Sequence, residues 1–507
     1  MRRICCALSV VLFACASGSN SSGDVAPPAA DAGQPVPDSG SPGNDGGTAN
    51  DGGTGGDAGT VVTPAPDAGS PDAGQTDPPG STAPNPHKIG GLGTGAFPTA
   101  ALTVYGKAQG LLEAPVSASV DEGENLWVAT TEAVYVLPPN AKTFRRFTAA
   151  DGLHYGPGFT EPPNITLIEG GTAGECFVGY WFHDTNESNT PGAHTNVDPA
   201  AHMGKMDQVL LQPDGTLKVN RYDLRNSNDG HFYETRTVMS MVYDHFQHPG
   251  NLYVGSNHGI TRIVPAKYFP PRHLVDDPFN TADEKVWYAD HVHPWVCMGG
   301  PCTDPNRAST FGDWFGLTLA DDGRLWMAGL TNAGALHYKE ALTDWVQSWA
   351  PVNPFDPAFG DPYPGSEPVF DPPVEGDPVN LRGVAVTPDN MVYFISGETL
   401  NETWRGPTYG IASWDGHHFV HFDPMQLGSL EYNILEIQAL ADGRLVLGFP
   451  STGLLVWTPG DSKGHRVTVT DGLPGEEIGR MSLDRMHDPA ILFVPTNGGL
   501  AAYRAVP

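Results

Sequence analysis

Between residue 100 and the C-terminus, short apolar runs alternate with polar, turn-rich segments in a pattern that recurs seven times. Each copy centres on a run that usually reads Leu, an aromatic, Val, then a small residue. The runs begin at Leu126 (LWVAT), Cys176 (CFVGY), Leu252 (LYVGS), Leu325 (LWMAG), Val392 (VYFIS), Leu445 (LVLGF) and Leu492 (LFVPT), at intervals of 47 to 76 residues. A tight turn precedes the run, as at Val120-Asp121-Glu122-Gly123, Ala320-Asp321-Asp322-Gly323, Thr387-Pro388-Asp389-Asn390 and Ala441-Asp442-Gly443. Such residues supply the positive φ that a hairpin needs. A second turn ends in Gly259, Gly334, Gly410, Gly453 or Gly499, with Ala133 in that place in the first copy. A last, amphipathic strand often runs into Asp-Gly-Leu, as at Asp151-Gly152-Leu153 and Asp471-Gly472-Leu473. Strand composition with self-similarity at this period predicts an all-β fold, a seven-bladed β-propeller with four antiparallel strands per blade.

The two ends of the repeat region predict how the ring closes. Residues 102–111 (LTVYGKAQGL) match the fourth-strand pattern, and the chain stops at Pro507 after three strands of the seventh copy. Residues 101–106 are therefore expected to complete the last blade by pairing near 499–504. Closure of this kind removes the exposed edges that would otherwise pair with other chains.

Upstream, the composition changes twice. Arg2 and Arg3 precede an apolar stretch over residues 4–14, too short to span a bilayer as a mature helix. This reads as an export signal, and its end, Leu12-Phe13-Ala14-Cys15, resembles a bacterial lipobox. That resemblance implies lipidation of Cys15 as the first mature residue and a membrane anchor. Residues 15–87 are dominated by Gly, Ala, Pro, Ser, Thr and Asp; no Lys or Arg lies between Arg3 and Lys88, and no aromatic between Phe13 and Phe97. Such a segment cannot bury enough apolar surface to offset chain entropy. It reads as a disordered tether, with a typical reach of about 45–50 Å for roughly 70 residues. The expected organisation is a signal peptide over 1–14, the linker over 15–87 and the propeller over 88–507.

The repeat pattern, an L-W-V-G-T-like strand followed by Gly-Leu and a D-G-L ending, resembles the two-component-regulator propeller repeat over about residues 100–507. The resemblance implies a sensory propeller outside the cytoplasm that binds a ligand or partner. The chain carries no histidine-kinase segment, so it is expected to act as a lone exported member that does not transduce a signal by itself.

A formal net charge of −31 argues against a nucleic-acid partner, because binders of nucleic acid present basic patches. It argues equally against electrostatic adhesion to anionic lipid, which leaves the lipid at Cys15 as the membrane contact. The partners expected are a small ligand, a glycan or an envelope protein, on a monomer held at the outer membrane and facing the periplasm or the cell surface. Of six cysteines, Cys297 and Cys302 flank a Met-Gly-Gly-Pro segment, a good setting for a local disulfide in an exported protein. Cys176 begins a core strand and reads as a buried small hydrophobe.

The excess length falls in loops at 150–163, 181–207, 223–236, 289–312, 350–380 and 397–409. All of these connect strands on one face of a propeller, the face where rigidly held loops converge over the central channel. They carry His154, His183, His231, Asp290, His291 and His293, together with Tyr155, Asp184, Trp314, Trp404, Arg405 and Tyr409. The aromatics with Asp184 and Arg405 suit a sugar or an aromatic ligand; the bland alternative is that they pack long loops on the scaffold. The histidines suggest a rival reading, a propeller lyase or hydrolase with a metal. Among these loop histidines no helical HxxxH or HExxH spacing supports it, and no catalytic residue, metal or cofactor is assigned.

Counting back from the first hairpin turn, Glu436 and Arg480 occupy equivalent positions on the innermost strands of neighbouring blades. Alternation puts Glu436, Gln438, Arg480 and Ser482 towards the channel, where other blades offer small residues such as Ser117, Gly316 and Gly383. Opposite charges in a narrow, partly dry channel should seek each other, so a Glu436–Arg480 ion pair is expected, direct or through one water. Such a pair either seals two blades or anchors a ligand.

Overall fold

A computed structural model describes residues 92–153, 164–181, 205–223, 238–245, 250–256, 259–269, 286–297, 307–309, 313–330, 332–339, 344–355, 379–397 and 408–507. Among these, seven four-stranded antiparallel sheets form the blades of a β-propeller. Blade 1 consists of Ser117–Val120, Leu126–Ala129, Val134–Leu137 and Arg145–Phe147, in that order from the channel outwards. Blades 2 to 6 follow over 164–223, 238–292, 316–352, 381–422 and 436–467. A two-stranded hairpin, Trp295–Cys297 with Arg307–Ser309, lies between blades 3 and 4 in the chain.

The seventh blade takes Ser482–Asp484, Ile491–Thr496 and Gly499–Tyr503 from the C-terminus and its outermost strand, Leu102–Tyr105, from the N-terminal side. The register runs from Leu102 opposite Tyr503 to Tyr105 opposite Leu500, as the strand count predicts. The Arg504 guanidinium tightens the join by donating to the Pro98 carbonyl at 2.8 Å.

Burial explains why the aromatic strands read as continuous apolar runs instead of alternating. Every residue of Leu126–Ala129, Leu252–Ser256, Leu325–Ala328 and Val392–Ser396 is buried. Each sheet is covered on both faces by its neighbours, so both faces of its middle strands must be apolar. The core is accordingly divided into seven clusters, one between each pair of adjacent blades. Trp127, Trp326, Trp414 and Trp457 are among the largest fully buried side chains.

The first turns of blades 4, 5 and 6 take the positive φ expected, at Gly323, Asn390 and Gly443; in blade 1 it falls on Glu124, with φ 62°, one residue after Gly123. There the buried Asp121 carboxylate is the organiser. It accepts from the amides of Gly123 (2.8 Å) and Asn125 (3.0 Å), the Asn125 side chain (2.9 Å) and the Trp127 indole (2.8 Å). It also accepts the amide of Gly174 in blade 2 at 3.0 Å, so one side chain ties a turn, a core Trp and the next blade together.

Two outcomes follow. Asp121→Ala leaves several of these donors unsatisfied, including the buried Trp127 indole, and should cost about 2–4 kcal/mol in urea unfolding; an unchanged midpoint would remove Asp121 from this role. Deleting the chain through Tyr105 exposes the edge at Gly499–Tyr503, and should lower the melting temperature and produce aggregates on gel filtration. A truncated protein that melts and elutes like the parent would refute closure by this strand.

Candidate functional site: the channel and its loop-face mouth

Among the described residues, the inner strands line a channel that includes three contiguous cavities. The mouth, about 340 Å³, lies where the inner strands begin and is walled by Val116, Ile165, Leu435 and Ile478, with Thr131 and Thr166. Thr131 belongs to the turn between the second and third strands of blade 1, so this mouth opens on the face that carries the long loops. A middle cavity of about 190 Å³ shares Arg382, Glu436 and Arg480 with the mouth. A third, of about 110 Å³, lies at the far ends of the inner strands, beside Glu169, His245 and Arg485.

The channel is narrow because the inner strands carry small residues. A Cβ built on Gly316 would lie 2.7 Å from the Gly383 Cα, closer than any side chain tolerates. Ser117, Gly316 and Gly383 all line the middle cavity, as do Gln438 and Ser482.

Glu436 and Arg480 both face the mouth and the middle cavity. The expected direct ion pair between them is not formed: no nitrogen–oxygen approach within 4.0 Å joins them. Arg480 is instead engaged across the channel, where its Nη1 donates to the Phe315 carbonyl at 3.4 Å, at the entry to blade 4. Arg485 of blade 7 makes a second crossing lower down, with Nη2 on the Leu319 carbonyl (3.1 Å) and Nη1 on Asp321 (3.2 Å). Blade 7 is thus tied to blade 4 at both ends of the channel.

Arg382 is the residue that inspection of the sequence misses. It sits at a break in strand register: Leu381 pairs with Ser396 and Gly383 with Ile395, which leaves Arg382 as the extra residue of a bulge. A bulge re-aims one side chain and breaks the alternation on which sequence counting relies. Arg382 is 5% exposed, stacks its guanidinium 5.1 Å above the Phe315 ring, and leaves Nε and Nη1 without an acceptor.

Burial shapes the charges here. It lowers the Arg382 guanidinium to about 10, helped by Arg480 and opposed by Glu436 and Asp313. Burial also raises the Glu436 carboxyl, against the pull of Arg480 and Arg382, and raises Asp313 to about 6 against Arg382. Further down, Glu169 accepts the Tyr243 amide of blade 3 (3.0 Å) and the Ser119 hydroxyl of blade 1 (3.3 Å). Burial pushes it up to about 7, opposed by the Tyr243 amide, His245 and Ser119.

The loop residues singled out from sequence fall into two groups. His154, Tyr155, His183, Asp184, His231, Trp404, Arg405, Cys15 and Cys302 lie outside the described residues. Asp290 and His291 are not in a loop; they lie on Val286–Val292, the outer strand of blade 3, opposite Arg262 and Thr261. Strand pairing extends further here than the polar Asp-His-Val-His composition suggests. His293 follows that strand and is half-buried. Trp314 is 2% exposed within the core between blades 3 and 4. Tyr409 packs on the core between blades 4 and 5, its ring 6.0 Å from Phe355. Cys297 ends a short strand opposite Arg307, and Cys176 is a buried free thiol. Among the described residues, no group of three or more His, Cys, Asp or Glu converges as a metal site.

No family model matches the chain. No curated protein matches it. Among solved structures, it resembles a chain of the mitotic checkpoint complex at 12% identity and TM-score 0.42, over 78% of this chain and 91% of that one. It also resembles YCF48 bound to a D1 peptide, at 9% identity and TM-score 0.42, over 82% of this chain and 100% of that one. The likeness concerns the fold alone.

The raised Glu169 has a consequence for stability. Its ordinary value is 4.5 and its folded value about 7, so the folded protein holds a proton that the unfolded chain releases earlier. The stability this contributes is full below about pH 4.5 and is lost as the pH rises through about 7. Asp313 acts in the same direction, so the parent should melt at progressively lower temperature between pH 5 and pH 8. The slope should be shallower in Glu169→Gln; identical slopes would show that Glu169 does not titrate in this range.

Proposed function

We propose that this protein is a lipid-anchored binding module outside the cytoplasm, sensor-like in kind, that takes a ligand or partner at the loop-face mouth of its propeller. The anchor reading rests on Arg2, Arg3, the apolar stretch and Cys15, which the Gly/Ala/Pro/Asp-rich segment over 15–87 separates from the propeller in sequence. This supports a location at the outer membrane, facing the periplasm or the cell surface. The resemblance of the repeats to the two-component-regulator propeller supports the sensory use.

The observation that carries the binding reading is Arg382. A guanidinium 5% exposed lines a cavity of about 340 Å³, with Nε and Nη1 sealed behind it and lacking acceptors. Buried polar groups are ordinarily satisfied, and each one left unpaired costs about 1–3 kcal/mol. A propeller that needed only to be stable would place an apolar side chain there. Pockets of about 300–1,000 Å³ with apolar walls and a few convergent polar groups are where small ligands bind.

Two measurements test this reading. Cys15→Ala should move the protein from the membrane to the soluble fraction; unchanged partitioning would defeat the lipid anchor. A thermal-shift screen of a general small-molecule library against the full chain should find compounds that stabilise it, with the shift reduced in Arg480→Gln. A library whose only stabilisers act equally on parent and variant would place binding elsewhere.

A further inference from the structure

The charges at the mouth form an unusual set. Arg382 lines this cavity, held from behind by the Phe315 ring; its Nε and Nη1 lack acceptors but are sealed off, which leaves Nη2 as the nitrogen open to a ligand. Glu436 faces the same cavity, and among the described residues its carboxylate accepts no hydrogen bond and lies within 4.0 Å of no cation. Two opposite charges thus share one cavity without a nitrogen–oxygen approach within 4.0 Å. The walls beside them, Val116, Ile165, Leu435 and Ile478, are apolar.

We propose that the mouth binds a free α-amino acid with an apolar side chain, its carboxylate on Arg382, its ammonium on Glu436 and its side chain against the apolar walls. This rests on the reading above that the mouth is the binding site. Three arguments select this class. Arg382 offers Nη2 to the cavity, and a carboxylate accepts from it in charge-assisted form. Glu436 offers an acceptor and requires a donor, which an ammonium supplies. The local charge is already balanced, with Arg382 and Arg480 set against Glu436 and Asp313. A zwitterion preserves that balance, whereas a simple anion or amine adds an uncompensated charge to a poorly solvated site. The cavity of about 340 Å³ lies within the size range of small-ligand pockets.

The test uses the full chain and calorimetric titration with leucine, isoleucine, valine and phenylalanine. Leucine is then compared with its two halves, 4-methylpentanoate, which lacks the ammonium, and 3-methylbutylamine, which lacks the carboxylate. At least one of the four amino acids should bind, and each half-molecule should bind at least about ten-fold more weakly than leucine. Arg382→Met and Glu436→Gln should each weaken the amino acid by at least about ten-fold. Should Arg382→Met fail to fold, as judged by circular dichroism, Glu436→Gln decides alone. Binding of 4-methylpentanoate that matches leucine, or that strengthens in Glu436→Gln, identifies a plain anion site and overturns the proposal. If no amino acid binds while another compound stabilises the protein in an Arg480-dependent way, this inference fails and the mouth stands as a binding site. If nothing binds in a way that depends on Arg382 or Arg480, both fail.

Discussion

The hydrogen bonds that run sideways between innermost strands are what the rest of this propeller depends on. Backbone pairing holds strands within a blade, but the ring needs each blade fixed to the next. Side chains on the inner strands do this by reaching the neighbouring backbone. The Ser482 hydroxyl donates to the Ala118 carbonyl at 2.6 Å, joining blade 7 to blade 1. Ser117 and Ser119 accept the Ile168 and Gly170 amides of blade 2 at 3.2 and 2.9 Å. Glu169 takes the Tyr243 amide, Ser240 donates to the Trp314 carbonyl, Thr318 to Val384 and Gln438 to Met481. Most of these reaches are made by Ser and Thr, and such short side chains let the inner strands lie close and keep the channel narrow.

A channel held this tightly cannot relax around a misplaced charge, so the charges it does contain are conspicuous. Arg480 and Arg485 are given to opposite carbonyls and act as straps from blade 7 to blade 4. Blade 7 is the composite blade, with one strand from the N-terminal side and three from the C-terminus, so these straps reinforce the point at which the ring is closed. Arg382 and Glu436 are different in kind. Neither closes an ion pair; Arg382 is buried and Glu436 half-buried, and both face the same cavity. A binding site is the arrangement in which the cost of burial is recovered by a ligand that meets both charges.

The bulge at Arg382 connects the scaffold to the site. Similar breaks in register occur at Thr166 in blade 2 and Met239 in blade 3, each near the start of the inner strand. All three lie towards the loop face, where the strands leave the constraint of the lateral stitches. Bulges tend to occur at such rims because pairing can be interrupted there without loss of the sheet.

The sequence alone determined the blade count, the four-strand repeat, the Asp/Gly turns and the N-terminal strand that closes the ring. These follow from local rules: a run buried on both faces must be apolar throughout, and a turn with positive φ favours Gly, Asn or Asp. The same alternation placed Glu436, Gln438, Arg480 and Ser482 at the channel. What it left undecided was which charges meet. Arg480 is separated by 165 residues from the Phe315 carbonyl it reaches, and no periodicity encodes a crossing between opposite blades. Arg382 was hidden because the bulge shifts it out of the alternation that would have exposed it. Asp290 and His291 read as loop because they are polar, and only pairing with Arg262 and Thr261 made them strand. Local pattern fixes elements one at a time; contacts across a closed ring arise only when all seven blades are in place.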